Sequence, residues 1–318
     1  MDTVAVTLGC AYLLDLAVGD PRWLPHPVRG LGWAIERGEA LLRAWVRDER
    51  WSGAALAAGI ILGTGVSVKL ALSAASLAAP WLGWGVEGVL LYACLSTKDL
   101  AVESWPVYRA LRGGDLEQAR GHLRMIVGRD TGRLGEGEIT RATVETIAES
   151  VMDGIVAPLF YAAIGGAPLC CVYKAVNTLD SMVGYRSARY IRFGSVPAAL
   201  DRWMNAVPAW VTALLLSCAG RLQGFRGWGG LAALHDRRVR EENSFIAEAA
   251  MAGALGVQLG GVNLYEGKPV TTPPMGFPLR SVEKERIPEA IRVMYAASGL
   301  AIAAALLARF LLVRVIIR

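Results

Sequence analysis

The sequence predicts an all-α protein that crosses a membrane several times, with a broken or re-entrant helical hairpin and polar helical loops. Hydrophobic residues make up 54% of the 318 residues and charged residues only 19%, whereas soluble domains carry about 25% charged residues. The mean hydropathy is +0.38. Apolar residues also gather in long runs without charge. We therefore expect one integral membrane domain that covers residues 1–318.

The charge of the chain indicates which classes of partner it can bind. The net charge is +5, from 33 basic and 28 acidic residues, which suits membrane lipids or a phosphorylated substrate. The basic residues do not form Lys/Arg-rich runs with interleaved aromatics, so no nucleic-acid partner is expected. The five cysteines are scattered and lack CxxC pairs, which predicts free core cysteines and neither a disulfide framework nor a zinc site.

The first elements read as membrane helices. Val4 to Val18 is apolar except for Asp15, and it lacks the basic region and cleavage site of a signal peptide, so we expect a retained helix. Ala54 to Leu95 is too long for one crossing of about 30 Å. Because Pro80 breaks this run, we predict a helical hairpin with its turn near Pro80.

The apolar stretch from Ile155 to Val176 has an unusual break. Gly165, Gly166 and Pro168 interrupt it and leave two arms of about ten residues, each too short to span a bilayer. We expect a helical hairpin that enters the membrane and returns, with both ends on the same side. One ordinary kinked span is the alternative.

The C-terminal half contains two further apolar runs, Val207 to Ala219 and Val293 to Val313. The second is long enough to span the hydrocarbon. Between them, the proline-rich segment from Asn263 to Gly276 predicts a rigid loop. The arginines near the C-terminus are expected to reach one headgroup layer; they are Arg309, Arg314 and Arg318.

Three carboxylates precede the broken hairpin. Glu145, Glu149 and Asp153 recur every four residues, which places them on one face of a helix. Their mutual repulsion grows as the face enters a low dielectric, so they need a cation. Mg²⁺ that carries nucleotide phosphates fits, because it prefers a few carboxylates plus phosphate and water. A solvated acidic face is the alternative.

A second polar face follows on the returning arm. Lys174, Asn177 and Asp180 recur every three residues, again on one helical face. Basic residues continue beyond it at the same interval: Arg186, Arg189 and Arg192. In a hairpin, the acidic and basic faces would oppose each other at its mouth, the layout expected for a metal and a phosphoryl group bound together.

A proline-rich loop, Gly19 to Arg29, follows the first helix and contains Asp20, Arg22 and His26. Its rigidity suits either a site at headgroup level or a plain structural exit from the membrane. No P-loop or G-x-G-x-x-G motif occurs, so any ATP must bind by another route. The remaining histidines lack H-E-x-x-H spacing, which argues against a zinc hydrolase.

Together these segments resemble the CobD/CbiB family of cobalamin biosynthesis, known as adenosylcobinamide-phosphate synthases. The matching stretches are spread over most of the chain in the expected order, and their joint occurrence is specific. They are GDPRWLPHPVR from Gly19, STKDL from Ser96, GRDT from Gly128, ETIAESVMDGIVAPLFY from Glu145, YKAVNTLDSMVGYR from Tyr173 and EAAMAGALGVQLGG from Glu248.

The resemblance implies a multi-pass enzyme of the inner cell membrane with a cytoplasmic active site. Such an enzyme joins adenosylcobyric acid to (R)-1-aminopropan-2-yl phosphate, or to ethanolamine phosphate, and consumes ATP with Mg²⁺. The product is adenosylcobinamide phosphate. Because an amine does not displace hydroxide from a carboxylate at neutral pH, the acid must first be activated, for example as an acyl phosphate.

On this basis we assign roles to the polar residues as hypotheses. The carboxylates Glu149, Asp153 and Asp180, together with Glu145, are expected to hold Mg²⁺. His26 is expected to accept a proton from the attacking ammonium. The residues expected to bind ATP or the amine phosphate are Lys98, Lys174, Asn177 and Arg186.

The chain departs from the family pattern at two places. Only Asn243 and Ser244 remain of an expected Pro-Asn-Ser-Gly-like turn, and Asp201-Arg202 stands where an Asp-Asp pair is expected.

Three other functions stay open: a membrane sensor similar to the AmpE signalling protein, a membrane CDP-alcohol phosphotransferase, and a corrinoid transporter. The transporter is weakened because this sequence has no visible inverted repeat. The oligomeric state, including a homo-oligomer, is also open.

Overall fold

The structure is a computed structural model that describes residues 2–22, 26–185 and 187–316. Within these residues it confirms the all-α prediction, with a single two-stranded sheet as the exception. The helices are α1 (Thr3–Val18), α2 (Pro27–Trp45), α3 (Glu49–Ala78), α4 (Pro80–Tyr92), α5 (Thr97–Arg112), α6 (Leu116–Arg124), α7 (Glu136–Val151), α8 (Ala157–Val183), α9 (Ser195–Leu222), α10 (Gly227–Ala232), α11 (Asn243–Leu255) and α12 (Arg286–Ile316). The strands are β1 (Gln258–Tyr265) and β2 (Lys268–Gly276).

The chain forms two compact units, each assembled from separated segments. The first unit contains Met1–Ser96, Ala157–Ala206 and Ile302–Arg318. The second unit contains Thr97–Val156 and Val207–Ala301. One domain over residues 1–318 stays a prediction.

Four helical segments are long and apolar enough to cross a membrane among the described residues: Glu49–Ala78, Glu136–Val183, Ser195–Leu222 and Arg286–Val315. The first has a mean hydropathy of 1.8, yet only 17% of its most apolar window is buried. Its exposed side chains include Leu70 and Leu77. Apolar surface of this extent is stable against lipid and not against water, so the chain is a membrane protein.

In the first unit, α3 and α4 form the predicted hairpin. The turn falls at Ala79, whose extended backbone ends α3 directly before Pro80. A Cβ atom at Gly83 would lie 2.2 Å from the Ser76 hydroxyl. The two helices therefore approach closely only because Gly83 has no side chain.

The broken hairpin in α8 is also confirmed. Gly165 and Gly166 leave the helical conformation, and Gly166 has φ 62° and ψ −157°. The rings of Tyr161 and Tyr173 stack with centroids 5.0 Å apart, whereas twelve residues of unbroken helix would separate them by about 18 Å. The arm 157–164 and the arm 167–183 therefore run back along each other.

The tip of this hairpin is tied to both chain ends. Arg309 donates hydrogen bonds to the carbonyl oxygens of Ala163 and Ile164, each at 3.4 Å. Its guanidinium also lies 2.7 Å from the Asp2 carboxylate. Arg309 is therefore paired within the protein, and its reach to a headgroup layer stays a prediction.

A buried core forms between α2, α3 and the end of α8. It contains Ile35, Leu56 and Phe193. A Cβ atom at Gly53 would lie 1.8 Å from the Phe193 carbonyl oxygen, so the glycine admits this backbone against α3. The segment after α8 is thereby held as turns from Ser187 to Gly194.

These turns correct the predicted arginine face. The helix ends at Val183, so the three-residue spacing beyond it does not describe one helical side. Arg189 lies 3.0 Å from the carboxylate of Glu39, which also binds Arg43 at 2.9 Å. Arg189 therefore serves a structural ion pair, while Arg186 lies outside the described residues.

In the second unit, β1 and β2 correct the rigid loop predicted from Asn263 to Gly276. The strands pair antiparallel around Glu266 and Gly267, which both have positive φ, as a two-residue hairpin turn requires. Proline is tolerated because both strands of a two-stranded sheet are edges.

Candidate functional site

The structure distributes the predicted site residues between the two units. His26, Lys174, Asn177 and Asp180 belong to the first unit, and Lys98, Glu145, Glu149 and Asp153 belong to the second. Their assigned roles toward Mg²⁺, ATP, the amine phosphate and the ammonium proton stay predictions.

The predicted carboxylate face of Glu145, Glu149 and Asp153 does not continue along one α-helix. The helix ends at Val151, and Met152–Val156 forms a π-helical turn that contains Asp153. Such turns shift the side-chain register and occur frequently at functional sites. Glu145 is buried whereas Glu149 is exposed, so a spacing of four residues does not give them a common environment.

Glu145 is held by two arginines and one backbone amide. Its Oε2 lies 2.6 Å from Arg129 Nη1, and its Oε1 lies 3.4 Å from Arg141 Nη1. The backbone N–H of Gly260 donates to Oε1 at 2.9 Å. With both oxygens engaged by cations or a donor, Glu145 has the environment of an ion-pair residue.

The same arginines fix the β-hairpin onto α7. Arg141 donates to the carbonyl oxygens of Gly260 and Val262 and to the Asn263 side chain. The strand has a register shift here, and Gly260 has φ 82°. A Cβ atom at Gly260 would lie 2.1 Å from the Pro273 carbonyl oxygen. Only glycine therefore allows this bulge to face Arg141.

A further carboxyl group, Glu248 on α11, lies in this charged cluster and is 7% exposed. Burial is the largest cause that raises its pKa well above the ordinary value, and the negative charges of Glu145 and Glu149 add to it. Arg129 and Arg141 act in the opposite direction. The site therefore favours the neutral acid form of Glu248.

Sequence reasoning gave these partners no role. Arg129 and Glu248 fall in stretches that carry the family resemblance, GRDT and EAAMAGALGVQLGG. Their place in these stretches was the one feature of the sequence that could have identified them as site residues. Arg141 and Asn263 have no such signal. They meet through a hydrogen bond between residues more than a hundred positions apart in the sequence.

Whether the protein can hold Mg²⁺ depends on which side chains are available as its ligands. Among the described residues, no group of three His, Cys, Asp or Glu side chains is placed to hold a metal ion. A cage built by the protein alone is therefore absent from that part of the chain. Mg²⁺ commonly binds through one or two carboxylates together with substrate phosphates, so Glu149, Asp153 and Asp180 stay predictions for that role.

In the first unit, a cavity of about 450 Å³ opens between α2, α3, the end of α4 and α8. Its wall is apolar for the most part, with Val28, Gly63, Cys94 and Cys171 among the lining residues. Lys174 is the one charged residue among the described residues that line it. A single ammonium group in an apolar wall suits an anionic group attached to an apolar body.

His26 stands beside this cavity as the N-cap of α2. Its Nδ1 accepts the backbone N–H of Val28 at 3.3 Å, and its Nε2 lies 3.6 Å from Asp20. Burial is the largest cause that lowers the pKa of His26, with Arg29 and Lys174 acting in the same direction and Asp20 opposing. The ring is therefore neutral near pH 7, with Nδ1 already used as an acceptor.

This geometry gives His26 a capping role. A general base needs a free lone pair within reach of the substrate proton. At His26 that lone pair is occupied by α2, so proton acceptance would require the cap to open. The catalytic role of His26 stays a prediction.

Asn177 joins a polar network between the hairpin and α9. Its Nδ2 donates to Asp201 at 3.4 Å, and Asn205 donates to the other Asp201 oxygen at 3.0 Å. Tyr173 completes the chain by donating to Asn205 at 3.0 Å. Asp201, whose role the altered family pattern left in doubt, is therefore the acceptor that holds two amides.

The remaining predicted residues are Asp180, at the end of α8, and Lys98, at the start of α5. A Cβ atom at Gly184 would lie 1.9 Å from an Asp180 carboxylate oxygen. The Asp180 side chain therefore lies over the end of α8 only because Gly184 is small. Lys98 lies in the first turn of α5 and is half-buried.

Long apolar helices, a broken hairpin and buried charged clusters together define a multi-pass α-helical membrane protein. The model of the family described as CobD/Cbib protein matches residues 8–294. The chain belongs to the CobD/CbiB family.

Relatives match over nearly their whole length. A protein of Geobacter metallireducens named cobalamin biosynthesis protein CobD is 47% identical, over 91% of this chain and 92% of its own. One of Citrobacter koseri with the same name is 42% identical, over 95% and 97%. A Salmonella typhimurium protein named cobalamin biosynthesis protein CbiB is 41% identical, over 94% and 95%. No solved structure matches the chain.

Proposed function

We propose that this protein is a membrane enzyme of cobalamin biosynthesis that forms an amide bond at the expense of ATP. Its substrates are adenosylcobyric acid and (R)-1-aminopropan-2-yl phosphate or ethanolamine phosphate, and its product is adenosylcobinamide phosphate. The observation that carries the proposal is the family match over residues 8–294, together with relatives named for cobalamin biosynthesis.

The proposed reaction has two steps. A carboxylate oxygen of the corrinoid attacks the γ-phosphorus of ATP, and ADP leaves with the electrons of the broken P–O bond. The amine nitrogen then attacks the acyl carbon, phosphate leaves, and the nitrogen loses a proton. Both steps build negative charge on phosphoryl oxygens, which fixed cations stabilise.

The cavity of the first unit supports the placement of a phosphorylated group. Lys174 presents a single ammonium group in an otherwise apolar wall, where an ion pair is screened less than in water. Asn177 lies one helical turn further along α8, and Asp201 fixes its amide. We assign Lys174 to phosphate binding and Asn177 to orientation of the same ligand.

We assign Mg²⁺ to the nucleotide phosphates with Glu149 and Asp153 as the contributing carboxylates of the second unit. The ion supplies charge neutralisation on the transferred phosphoryl group when it is bound. Glu145 is assigned to positioning, because two arginines already hold it. We place the active site on the cytoplasmic side of the inner membrane, where ATP is available.

A feeding experiment tests the reaction. A strain that lacks the gene should make cobalamin when it is given cobinamide, which enters after the amide step, and not when it is given cobyric acid. Growth on both compounds would refute the synthase. Failure on both would place the protein in uptake or regulation.

Purified protein tests the residues. Adenosylcobyric acid, the amine phosphate, ATP and Mg²⁺ should give ADP and the amide product in equal amounts. We expect Glu149→Gln and Asp153→Asn to raise the Mg²⁺ concentration needed for half-maximal rate. Full activity of both variants at limiting Mg²⁺ would remove these carboxylates from the site.

A further inference from the structure

A basic and aromatic groove lies in the second unit, and none of the residues assigned above lines it. It has a volume of about 560 Å³ and is lined by the end of α9, the turn that follows, and the segment after β2. A smaller depression of about 280 Å³ shares Phe225, Arg226 and Leu279 with it. The two depressions therefore form one continuous surface, which we call the arginine groove.

The positive charge of the arginine groove is largely uncompensated. Arg221 and Arg226 are both exposed, and no hydrogen bond or ion pair to either guanidinium occurs within the described residues. Arg280, in the smaller depression, pairs with Glu289 at 3.0 Å. No acidic residue is among the described residues that line the groove. An anion would therefore be attracted to this surface.

The groove also presents apolar side chains to its surroundings. Trp228 is 58% exposed and Leu279 is 55% exposed. Phe225 packs against Arg292, whose guanidinium carbon lies 5.6 Å from the ring centre. A purely ionic ligand gains nothing from these side chains, so the complementary ligand carries an apolar body beside its anion.

The position along α9 identifies the kind of ligand. Residues 203–220 carry no charge, which at 1.5 Å per residue gives about 27 Å of helix, close to the thickness of the hydrocarbon. Arg221 follows this stretch directly. The arginines and Trp228 therefore lie where lipid headgroups are found, and where tryptophan and basic side chains concentrate.

We infer that the arginine groove binds the headgroup of an anionic phospholipid. Arg221 and Arg226 contact the phosphate, while Trp228 and Leu279 contact the glycerol and the first acyl carbons. Phosphatidylglycerol fits this chemistry. Phosphatidylcholine fits less well, because its quaternary ammonium group would lie against two guanidinium groups.

Native mass spectrometry of the full-length protein in detergent tests the inference. Equal amounts of phosphatidylglycerol and phosphatidylcholine with the same acyl chains are added, and the ratio of bound lipids is measured. We expect an excess of phosphatidylglycerol on the unaltered protein. Arg221→Gln and Arg226→Gln should each lower that excess about fivefold, the change expected for one basic residue near an anionic lipid surface.

Arg124→Gln is the matched control, because Arg124 is exposed in the same unit and does not line the groove. It should leave the lipid ratio unchanged. Circular dichroism and gel filtration should show that all three variants are folded.

Three results would overturn the inference. The first is equal retention of both lipids by the unaltered protein. The second is an equal loss with Arg124→Gln. The third is displacement of phosphatidylglycerol by millimolar inorganic phosphate or ATP, which would make the groove a site for a soluble phosphate.

Discussion

The rings of Tyr161 and Tyr173 stack 5.0 Å apart although they lie on opposite arms of the broken α8 hairpin. Both hydroxyl groups then donate to α9, that of Tyr161 to the Met204 carbonyl at 2.7 Å and that of Tyr173 to Asn205 at 3.0 Å. The stacked pair therefore fixes the two arms to each other and to α9. This frame sets the position of Asn177 relative to Asp201.

The hairpin depends on Gly166. Its φ of 62° and ψ of −157° lie in a region that essentially only glycine adopts, and a residue with a side chain costs about 1–3 kcal/mol there. A Cβ atom would also lie 3.0 Å from Glu87 Oε1. We therefore expect Gly166→Ala to lower the thermal unfolding midpoint in detergent and to reduce activity.

Gly85→Ala provides the comparison for this prediction. Gly85 lies within α4, and a Cβ atom there meets nothing within 4 Å. Alanine is favoured over glycine in a helix by about 1 kcal/mol, so this variant should be at least as stable as the unaltered protein. Equal stability of the Gly166 and Gly85 variants would contradict a strained hairpin tip.

The sequence predicted the fold well where local patterns determine it. Long apolar runs gave the spans, and the break at Gly165 and Gly166 gave the hairpin, because both signals are visible within a few residues. The β-hairpin was missed because Pro269 and Pro273 argue against strands. Its stability depends on Arg141 of a distant helix, which no local pattern reveals.

The contacts of the candidate site are likewise not visible in local patterns. Helical spacing identified Glu145 as an acidic residue that needs a positive partner. The partner was taken to be a metal ion, whereas the structure supplies Arg129 and Arg141. Charge complementarity can be inferred from sequence, but the identity of the counter-charge depends on tertiary contacts.

Glu145→Gln separates these two roles. The substitution leaves two arginines, each with only 12% of its side chain exposed, without their shared counter-charge. Removal of one partner from a buried ion pair costs about 3–5 kcal/mol. We expect a loss of this order in the free energy of unfolding, measured by denaturant titration, with an unchanged Mg²⁺ requirement in the folded fraction.

Two further variants check this interpretation of Glu145. Glu136→Gln removes a partly exposed ion pair with Lys284 and should cost less than about 1 kcal/mol. Adding Arg129→Met to Glu145→Gln should recover part of the lost stability, since it removes an unmatched buried charge. A stable Glu145→Gln protein that needs much more Mg²⁺ would instead favour the metal role.

Glu248 makes the stability depend on pH. Because burial raises the folded pKa well above 4.5, the folded state retains a proton that the unfolded state releases. Its contribution is complete below the unfolded pKa and is lost as pH rises through the folded pKa. The free energy of unfolding should therefore fall as pH rises above the unfolded pKa and level off above the folded pKa, with a slope of at most about 1.4 kcal/mol per pH unit from this group.

Glu248→Gln should remove the contribution of this group to the pH dependence of the free energy of unfolding. The variant should also be more stable than the unaltered protein at a pH above the folded pKa of Glu248. The amide keeps the shape of the neutral acid and cannot ionise. Guanidinium titrations at several pH values would measure both curves. Parallel curves for the two proteins would show that Glu248 does not retain a proton in the folded state.

Lys174→Met tests phosphate binding in the cavity of the first unit. Methionine keeps the length and apolar contacts of the side chain and removes the charge. A hydrogen bond to a charged group contributes about 1.5–3 kcal/mol, so kcat/KM for the phosphorylated ligand should fall roughly 10- to 100-fold with little change in unfolding. Lys69→Met on the exposed side of α3 should retain activity. Equal kinetics for Lys174→Met and the unaltered protein, each measured with ATP and with the amine phosphate varied, would exclude Lys174 from phosphate binding.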